Sequence, residues 1–340
     1  MKIALKLYLK VLLGLALSLA ATAVPAQTTT VIKFSHVAGI DTPKGKAAQR
    51  FKELVEQASR RRLRVDVYPN NQLYKESDEL EALQLGAVQM LAPSLVKLTQ
   101  SGVREFEVFD LPYVFSNDAS VARVTEGPVG RSLLKKLESK GMVGLGYWNS
   151  GFKVMSANKL LNSPDDFKGL RMRVHSSQTL DAQMEALGAI PRLLDSGEVH
   201  LALQAGLIDG TESTPASFQA RKLYDVQSNL TVSNHGYLGS AVVVNKKFWD
   251  GLPSDLRDVI SNAMSEATAY GNQLAAQENA AALAAMKKNK KVRIRTLTDK
   301  ETAAWRKALQ PVRGDLESRI GKAVVMAVVL EAEKRRIGDR

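Results

Sequence analysis

The stretch Gly169-Leu170-Arg171-Met172-Arg173-Val174 reads as a helix stop followed by a short buried strand. Gly169 suits the left-handed position that closes a helix. Leu170, Met172 and Val174 alternate with Arg171 and Arg173, the period of a strand. The apolar side chains therefore share one face and the arginines the other. A strand-borne arginine carries a planar fork that matches a carboxylate. Spacing alone leaves two readings: a pair of solvated charges, or an anion grip centred on Arg173.

Upstream of this stretch, strands and helices alternate. Segments 31–36 (VIKFSH) and 63–68 (LRVDVY) have the strand period. Thr42-Pro43 between them opens a helix, with a cap residue and a first-turn proline in their preferred places. That helix runs to about residue 60, where Arg60, Arg61 and Arg62 would complement its C-terminus. A helix over 77–85 and a strand over 88–92 continue the pattern, which argues for an open α/β sheet. Ligands of such sheets sit beyond the carboxyl ends of the strands. His36, Ser94, Lys97 and the 149–153 segment, with Phe152 and Lys153, fall at such ends. Lys44 stands in the first turn of a helix, where the dipole disfavours a cation, which suggests service to a ligand.

Downstream, 143–148 is a strand leading to a first crossing between lobes at 149–151. A helix follows over 177–188. Segment 206–214 carries a strand into a loop that brings Ser213 near Arg173. A second crossing precedes the apolar strand 237–245, which begins with Tyr237. Pro253 opens a helix to about residue 288, roughly 50 Å long and able to bridge two lobes. A strand at 292–295 and the capping box Thr298-x-x-Glu301 complete the chain.

The chain has 340 residues, 45% of them hydrophobic, enough for two packed domains. It has no cysteine, which excludes disulfides, thiolate metal sites and a cysteine nucleophile. Lys2, Lys6 and Lys10 precede an apolar run over 11–21 and the small residues Val24-Pro25-Ala26, the pattern of a cleaved secretory signal over 1–26. The formal net charge is +12; the three signal lysines supply three of it, leaving +9. The basic stripe interleaved with aromatics that a single-strand binder needs is missing, so small anions are the expected partners and nucleic acid is not. His36, His175, His200 and His235 include no pair at the helical i, i+4 spacing, no carboxylate–histidine motif accompanies them, and no GxSxG elbow occurs. An exported enzyme, a bound metal and a cofactor are not expected.

Taken together, FSHVAGIDTPKGKAAQRFKELVE, YPNNQLYKESDELEALQLGAVQMLAPS, FDLPYVF, YWNSGFKVMSANK, GLRMRV, ALQAGLIDGTE and VSNHGYLGSAVVVNKKFW, in this order and spacing, resemble the periplasmic solute-binding subunits of tripartite ATP-independent (TRAP) transporters. The likeness is to the dicarboxylate-binding branch and covers nearly the whole mature chain. It implies a two-lobed α/β periplasmic binding protein fold, with hinge strands, a long lobe-bridging helix and a ligand held between closing lobes. It also implies delivery of that ligand to membrane permease subunits. The expected lobes are 27–150 with 239–279, and 151–238 with 280–340. By the resemblance, Arg173 forms the principal salt bridge to a ligand carboxylate, and Lys97 and Lys153 hold positions that are basic ligand contacts in some members. Ser213 stands where an asparagine usually helps hold the same carboxylate; it is shorter and lacks the amide donor. Gly197 and His200 replace a usual serine and tyrosine. Phe152 and Tyr237 are expected as cleft walls, with Ser94, Lys44 and His36 completing the site. The expected ligand is a four-carbon dicarboxylate such as succinate, fumarate or malate. Another organic acid, or a sensing role beside a membrane receptor, is the alternative.

Overall fold

The computed structural model describes residues 29–334. The expected signal segment 1–26 lies outside the described residues. In chain order the strands are β1 (Thr30–Ser35), β2 (Leu63–Tyr68), β3 (Met90–Leu91), β4 (Met142–Phe152), β5 (Val154–Ala157), β6 (Arg171–Val174), β7 (Ile190–Leu193), β8 (Gly210–Ser213), β9 (Asn229–Val232), β10 (Tyr237–Asn245) and β11 (Arg293–Thr296). They form two sheets, ordered β2-β1-β3-β10-β4 and β11-β9-β5-β8-β6-β7. Each sheet has its own core. Phe34, Phe51, Trp148 and Val242 are buried around the first; Phe167, Met172, Val174 and Trp305 are buried around the second. Two lobes follow, because each sheet buries its apolar faces against its own helices.

The chain crosses between the sheets at two adjacent places. Lys153 alone separates β4 from β5, and residues 233–236 separate β9 from β10. The Lys153 backbone N–H donates to the Gly236 carbonyl at 2.9 Å, so the crossings lie side by side. Gly151, just before the first, has φ +111°, a conformation that side-chain-bearing residues rarely adopt.

Helix Ser254–Asn289 is the third connection, 36 residues and about 54 Å long. Its Ile260, Met264 and Ala267 pack in the first lobe, and Ala282 and Met286 in the second. The chain after residue 280 was expected in the second lobe. Helix Asp299–Ile320 places Trp305, Leu309 and Val312 there, but Leu316 and the Val325, Val328 and Ala332 of helix Lys322–Glu333 are buried in the first-lobe core. The last helix is apolar enough to cover the first lobe near helix Asp118–Glu126, and burial there outweighs chain proximity.

Local signals set several boundaries. The Thr42 hydroxyl accepts the Gly45 N–H at 3.2 Å and caps helix Pro43–Ala58. That helix stops before the arginine cluster. Arg60 and Arg61 take left-handed backbone conformations and their N–H groups donate to the Gln57 and Glu56 carbonyls at 3.1 and 3.0 Å, while the Arg62 side chain pairs with Asp255 at 2.5 Å, so the cluster closes the helix through its backbone and not through its charges.

Candidate functional site

Strand β6 is central to the site. It pairs in parallel with β7 on one side and β8 on the other, with Arg173 opposite Arg192 and Thr211. Met172 and Val174 enter the second-lobe core. Arg171 turns outward to a two-point ion pair with Asp209, at 2.7 and 3.0 Å. Arg173 is 3% exposed. The two arginines therefore do different work although they share a strand face.

The Arg173 guanidinium donates from Nε and Nη2 to the Leu194 carbonyl at 2.9 and 2.8 Å, and from Nη2 to the Ser196 hydroxyl at 3.2 Å. Its Nη1 meets His175 Nε2 at 2.8 Å. A guanidinium only donates, so Nε2 accepts and the His175 proton sits on Nδ1. Nδ1 then donates toward Glu76, 3.3 Å away. Burial, reinforced by the Arg173 charge, pushes the His175 pKa down, so this imidazole is neutral near pH 7. Burial also lowers Arg173, to about 10, still charged at neutral pH.

Glu76 comes from the first lobe and ties this cluster across the cleft. It accepts the Ser196 N–H at 3.1 Å and lies 3.9 Å from Arg173 Nη2. Burial opposes its ionisation, yet His175, Arg173 and Ser196 hold its carboxyl well below the ordinary glutamate range.

A cavity of about 100 Å³ opens between the lobes, several times the roughly 10–15 Å³ that holds one buried water. Lys44, Glu76, Ser94 and Ser240 line it from the first lobe; Arg173, His175, Glu212, Ser213 and Arg221 line it from the second. Thr42, Pro43 and Lys44 bring the start of a helix to its wall. Among the described residues the buried Ser94 hydroxyl there has no hydrogen-bond partner.

Of the residues singled out in the sequence, Arg173, Lys44, Ser94 and Ser213 line this cavity together. Lys44 donates to the Ala92 carbonyl at 3.0 Å, and Ser213 to the Thr214 carbonyl at 3.2 Å. Lys153 lies behind the wall. Its ammonium binds Glu212 at 2.7 Å and approaches Asp110 at 3.7 Å. Glu212 in turn accepts from His235 Nε2 at 3.2 Å, and the Ser233 hydroxyl faces His235 Nδ1 at 2.7 Å. Burial disfavours the Lys153 cation, but Glu212 and Asp110 keep it charged. His36 is buried one residue from the wall, and burial lowers its pKa to about 3, so it is a neutral packing group at pH 7. Lys97 is buried in the turn Leu95–Ser101. Phe152 and Tyr237 pair across β4 and β10, rings edge to face at 6.4 Å, against the first-lobe core.

Glu76, Glu212 and Arg221 escaped the reading of the sequence, which weighed His175 only as raw material for an enzyme. Thr214-Pro215 repeats the Thr42-Pro43 signature and places a helix, Pro215–Ala220, whose end carries Arg221; that was the available local signal. No local pattern marks the acids: Glu212 meets Lys153 through strand pairing, and Glu76, in a turn of the first lobe, meets His175 and Ser196 across the cleft.

Two α/β lobes hinged on paired crossings, with a charged cavity between them, define a solute-binding protein. The chain belongs to the bacterial extracellular solute-binding proteins, family 7, matching that family over residues 34–318. Proteins of this family bind solutes in the periplasm. The chain is 53% identical over 316 residues to the C4-dicarboxylate-binding periplasmic protein DctP of Rhodobacter capsulatus, covering 93% of this chain and 94% of that one. A TRAP periplasmic solute-binding protein of Shewanella oneidensis, solved with bound succinate, superposes with a TM-score of 0.87 at 41% identity, covering 90% of this chain and 100% of that one. A Pseudomonas aeruginosa counterpart with bound L-malate gives 0.82 at 38% identity, covering 84% and 99%.

Proposed function

We propose that this protein captures a four-carbon dicarboxylate between its lobes and hands it to the membrane subunits of a TRAP transporter, acting in the periplasm after loss of residues 1–26. In this reading the first lobe comprises 27–150 with 239–279 and the closing helix Lys322–Glu333, and the second 151–238 with the chain from 280 to about 315. Arg173 grips one ligand carboxylate. Ser94 and Ser213 add hydroxyl donors, and Lys44 adds a cation from the first lobe. Lys97, Lys153, His36, Phe152 and Tyr237 frame these groups.

The observation that carries the reading is a buried arginine in a cavity lined by both lobes. Charge-assisted hydrogen bonds to such a group contribute about 1.5–3 kcal/mol each. A micromolar dissociation constant needs about 8 kcal/mol net, within reach of four or five such contacts. A ligand touching both lobes favours the closed arrangement by its differential affinity for it. The succinate and malate carried by similar proteins support the choice of ligand.

Calorimetric titration of the purified protein with succinate, L-malate and fumarate tests the proposal. Stoichiometric binding of at least one is the expected result. Absence of binding to all three, with binding of an unrelated solute, would refute it.

A further inference from the structure

Six cations crowd one end of the second lobe. Lys287, Lys288, Lys290, Lys291, Arg293 and Arg295 fall within nine residues, and no acidic residue stands between Glu278 and Asp299. The segment leaves helix Ser254–Asn289, turns through Lys290 at φ +55° and enters β11. Met286 and Val292 are buried in the second-lobe core on either side of the turn. They pin the backbone down, and the four lysines between them are all exposed. β11 is the edge strand of its sheet, with Arg293 opposite Asn229. Asn229 opens β9, which runs on toward the crossing at 233–236, so the cluster lies at the end of the sheet away from the hinge.

Only part of this charge is answered. Lys291 reaches Asp225 at 3.6 Å and lies over the Tyr224 ring at 4.8 Å, and Arg295 pairs with Glu301. Among the described residues Lys287, Lys288, Lys290 and Arg293 have no carboxylate partner. Six cations less two carboxylates leave an excess of four, out of the +9 of the processed chain. Cations favour a helix C-terminus, and a charged side chain protects an edge strand from further pairing. The first effect fades beyond the last turn, where Lys290 and Lys291 lie, and one charge serves the second. None of the six lines the cavity between the lobes, so the ligand site does not use them.

We propose that this cluster is a contact site for the phosphate headgroups of an anionic phospholipid surface. Lysine ammoniums are hydrated point charges on flexible stems, suited to a diffuse field of phosphates and not to one shaped pocket. Each Lys or Arg brought to an anionic bilayer gains about fivefold in partition, and the field reaches about 8 Å, a Debye length, at physiological salt. Four unpaired cations on one lobe edge therefore hold the protein reversibly at the membrane, while the crossings at the other end of the sheet stay free to bend. The contact goes beyond solute capture and does not depend on which solute the cleft holds.

Sedimentation with vesicles tests this, using the chain from residue 27 so that the apolar run over 11–21 plays no part. The protein is expected to bind phosphatidylglycerol–phosphatidylcholine vesicles at low ionic strength, to leave them as salt is raised, and to ignore pure phosphatidylcholine. The combined variant Lys287→Gln, Lys288→Gln, Lys290→Gln, Arg293→Gln should lose about a hundredfold or more in partition. A control, Lys75→Gln, Arg104→Gln, Lys140→Gln, Lys247→Gln, removes the same charge from exposed positions of the first lobe and should stay within about threefold of wild type. Melting curves establish that both variants fold. Succinate titration should be unchanged in the first variant, which separates this test from that of the proposed function. Equal losses in the two variants would mean that net charge alone is responsible, and would overturn the site. Wild-type protein that does not bind the anionic vesicles overturns the membrane assignment and leaves an acidic protein surface as the partner the charge fits.

Discussion

Replacing Arg173 by methionine keeps most of the side-chain volume and removes the charge and all five donors. The second Nη1 N–H, and the Nη2 N–H now given to Ser196, are the two that can turn toward a ligand carboxylate. Two charge-assisted hydrogen bonds at about 1.5–3 kcal/mol each amount to about 3–6 kcal/mol, or a loss of about 10²–10⁴-fold in affinity. Stability responds separately. The Leu194 carbonyl loses both its donors, and an acceptor left unsatisfied costs about 1–3 kcal/mol. Glu76 keeps the Ser196 N–H and His175, and a buried cation no longer needs desolvating, so the net loss belongs at the lower end. Titration of succinate into the variant, beside denaturant unfolding of the ligand-free protein, separates the two effects. A dissociation constant within about threefold of wild type, in a folded variant, would remove Arg173 from the site.

Glu212→Gln leaves the buried Lys153 with Asp110, 3.7 Å away, as its one remaining carboxylate among the described residues, and breaking such a buried pair should cost about 3–5 kcal/mol at pH 7, read by denaturant unfolding. Lys153 and His235 hold the Glu212 carboxyl far below its ordinary 4.5 against the opposing effect of burial, so its contribution is complete above pH 4.5 and lost as pH falls toward the native value. The stability gap between wild type and Glu212→Gln should therefore narrow on acidification below 4.5; a gap constant down to pH 2.5 would contradict the assigned network. Gly151→Ala puts a Cβ against the Asn279 amide at φ +111° and should destabilise by about 1–3 kcal/mol, and a neutral result by thermal melting would mean the crossing relaxes freely. Lys44, lowered to about 8 by burial and by Arg221, should take up protons when a dianion arrives at pH 8.5, seen as a dependence of the titration heat on buffer ionisation enthalpy. Identical heats in buffers of different ionisation enthalpy would separate Lys44 from the ligand.

Much of the fold could be read locally because local rules and tertiary packing agree. The alternation of Leu170, Met172 and Val174 with the arginines matches the face that enters the core. The apolar run of β10 begins and ends where composition indicates, and the long helix bridges the lobes as its length requires. Three features departed from expectation for identifiable reasons. Strand β4 runs on through residues 149–151, held by its pairing with β10, so the first crossing falls at Lys153. Arg60 and Arg61 close a left-handed turn, which charge patterning does not encode. Helix Lys322–Glu333 crosses to the first lobe because its apolar side chains fill a core distant in sequence.

The site was legible only in part. Arg173, Lys44, Ser94 and Ser213 announce themselves at strand or helix ends. Lys153 reads as a basic contact until the antiparallel pairing of Val154 with Ser213 sets it beside Glu212. Glu76 acquires its place through pairing across the cleft with Ser196, 120 residues away. Buried acids that neutralise binding-site bases have no periodicity and no fixed spacing; they become visible only with the register.

The most direct test of the central claim is a crystal structure of the protein grown with succinate. The account predicts a ligand carboxylate within hydrogen-bonding distance of the Arg173 guanidinium, in the cavity between the lobes. Succinate bound elsewhere, with Arg173 still turned wholly to Leu194, Ser196 and His175, would contradict it.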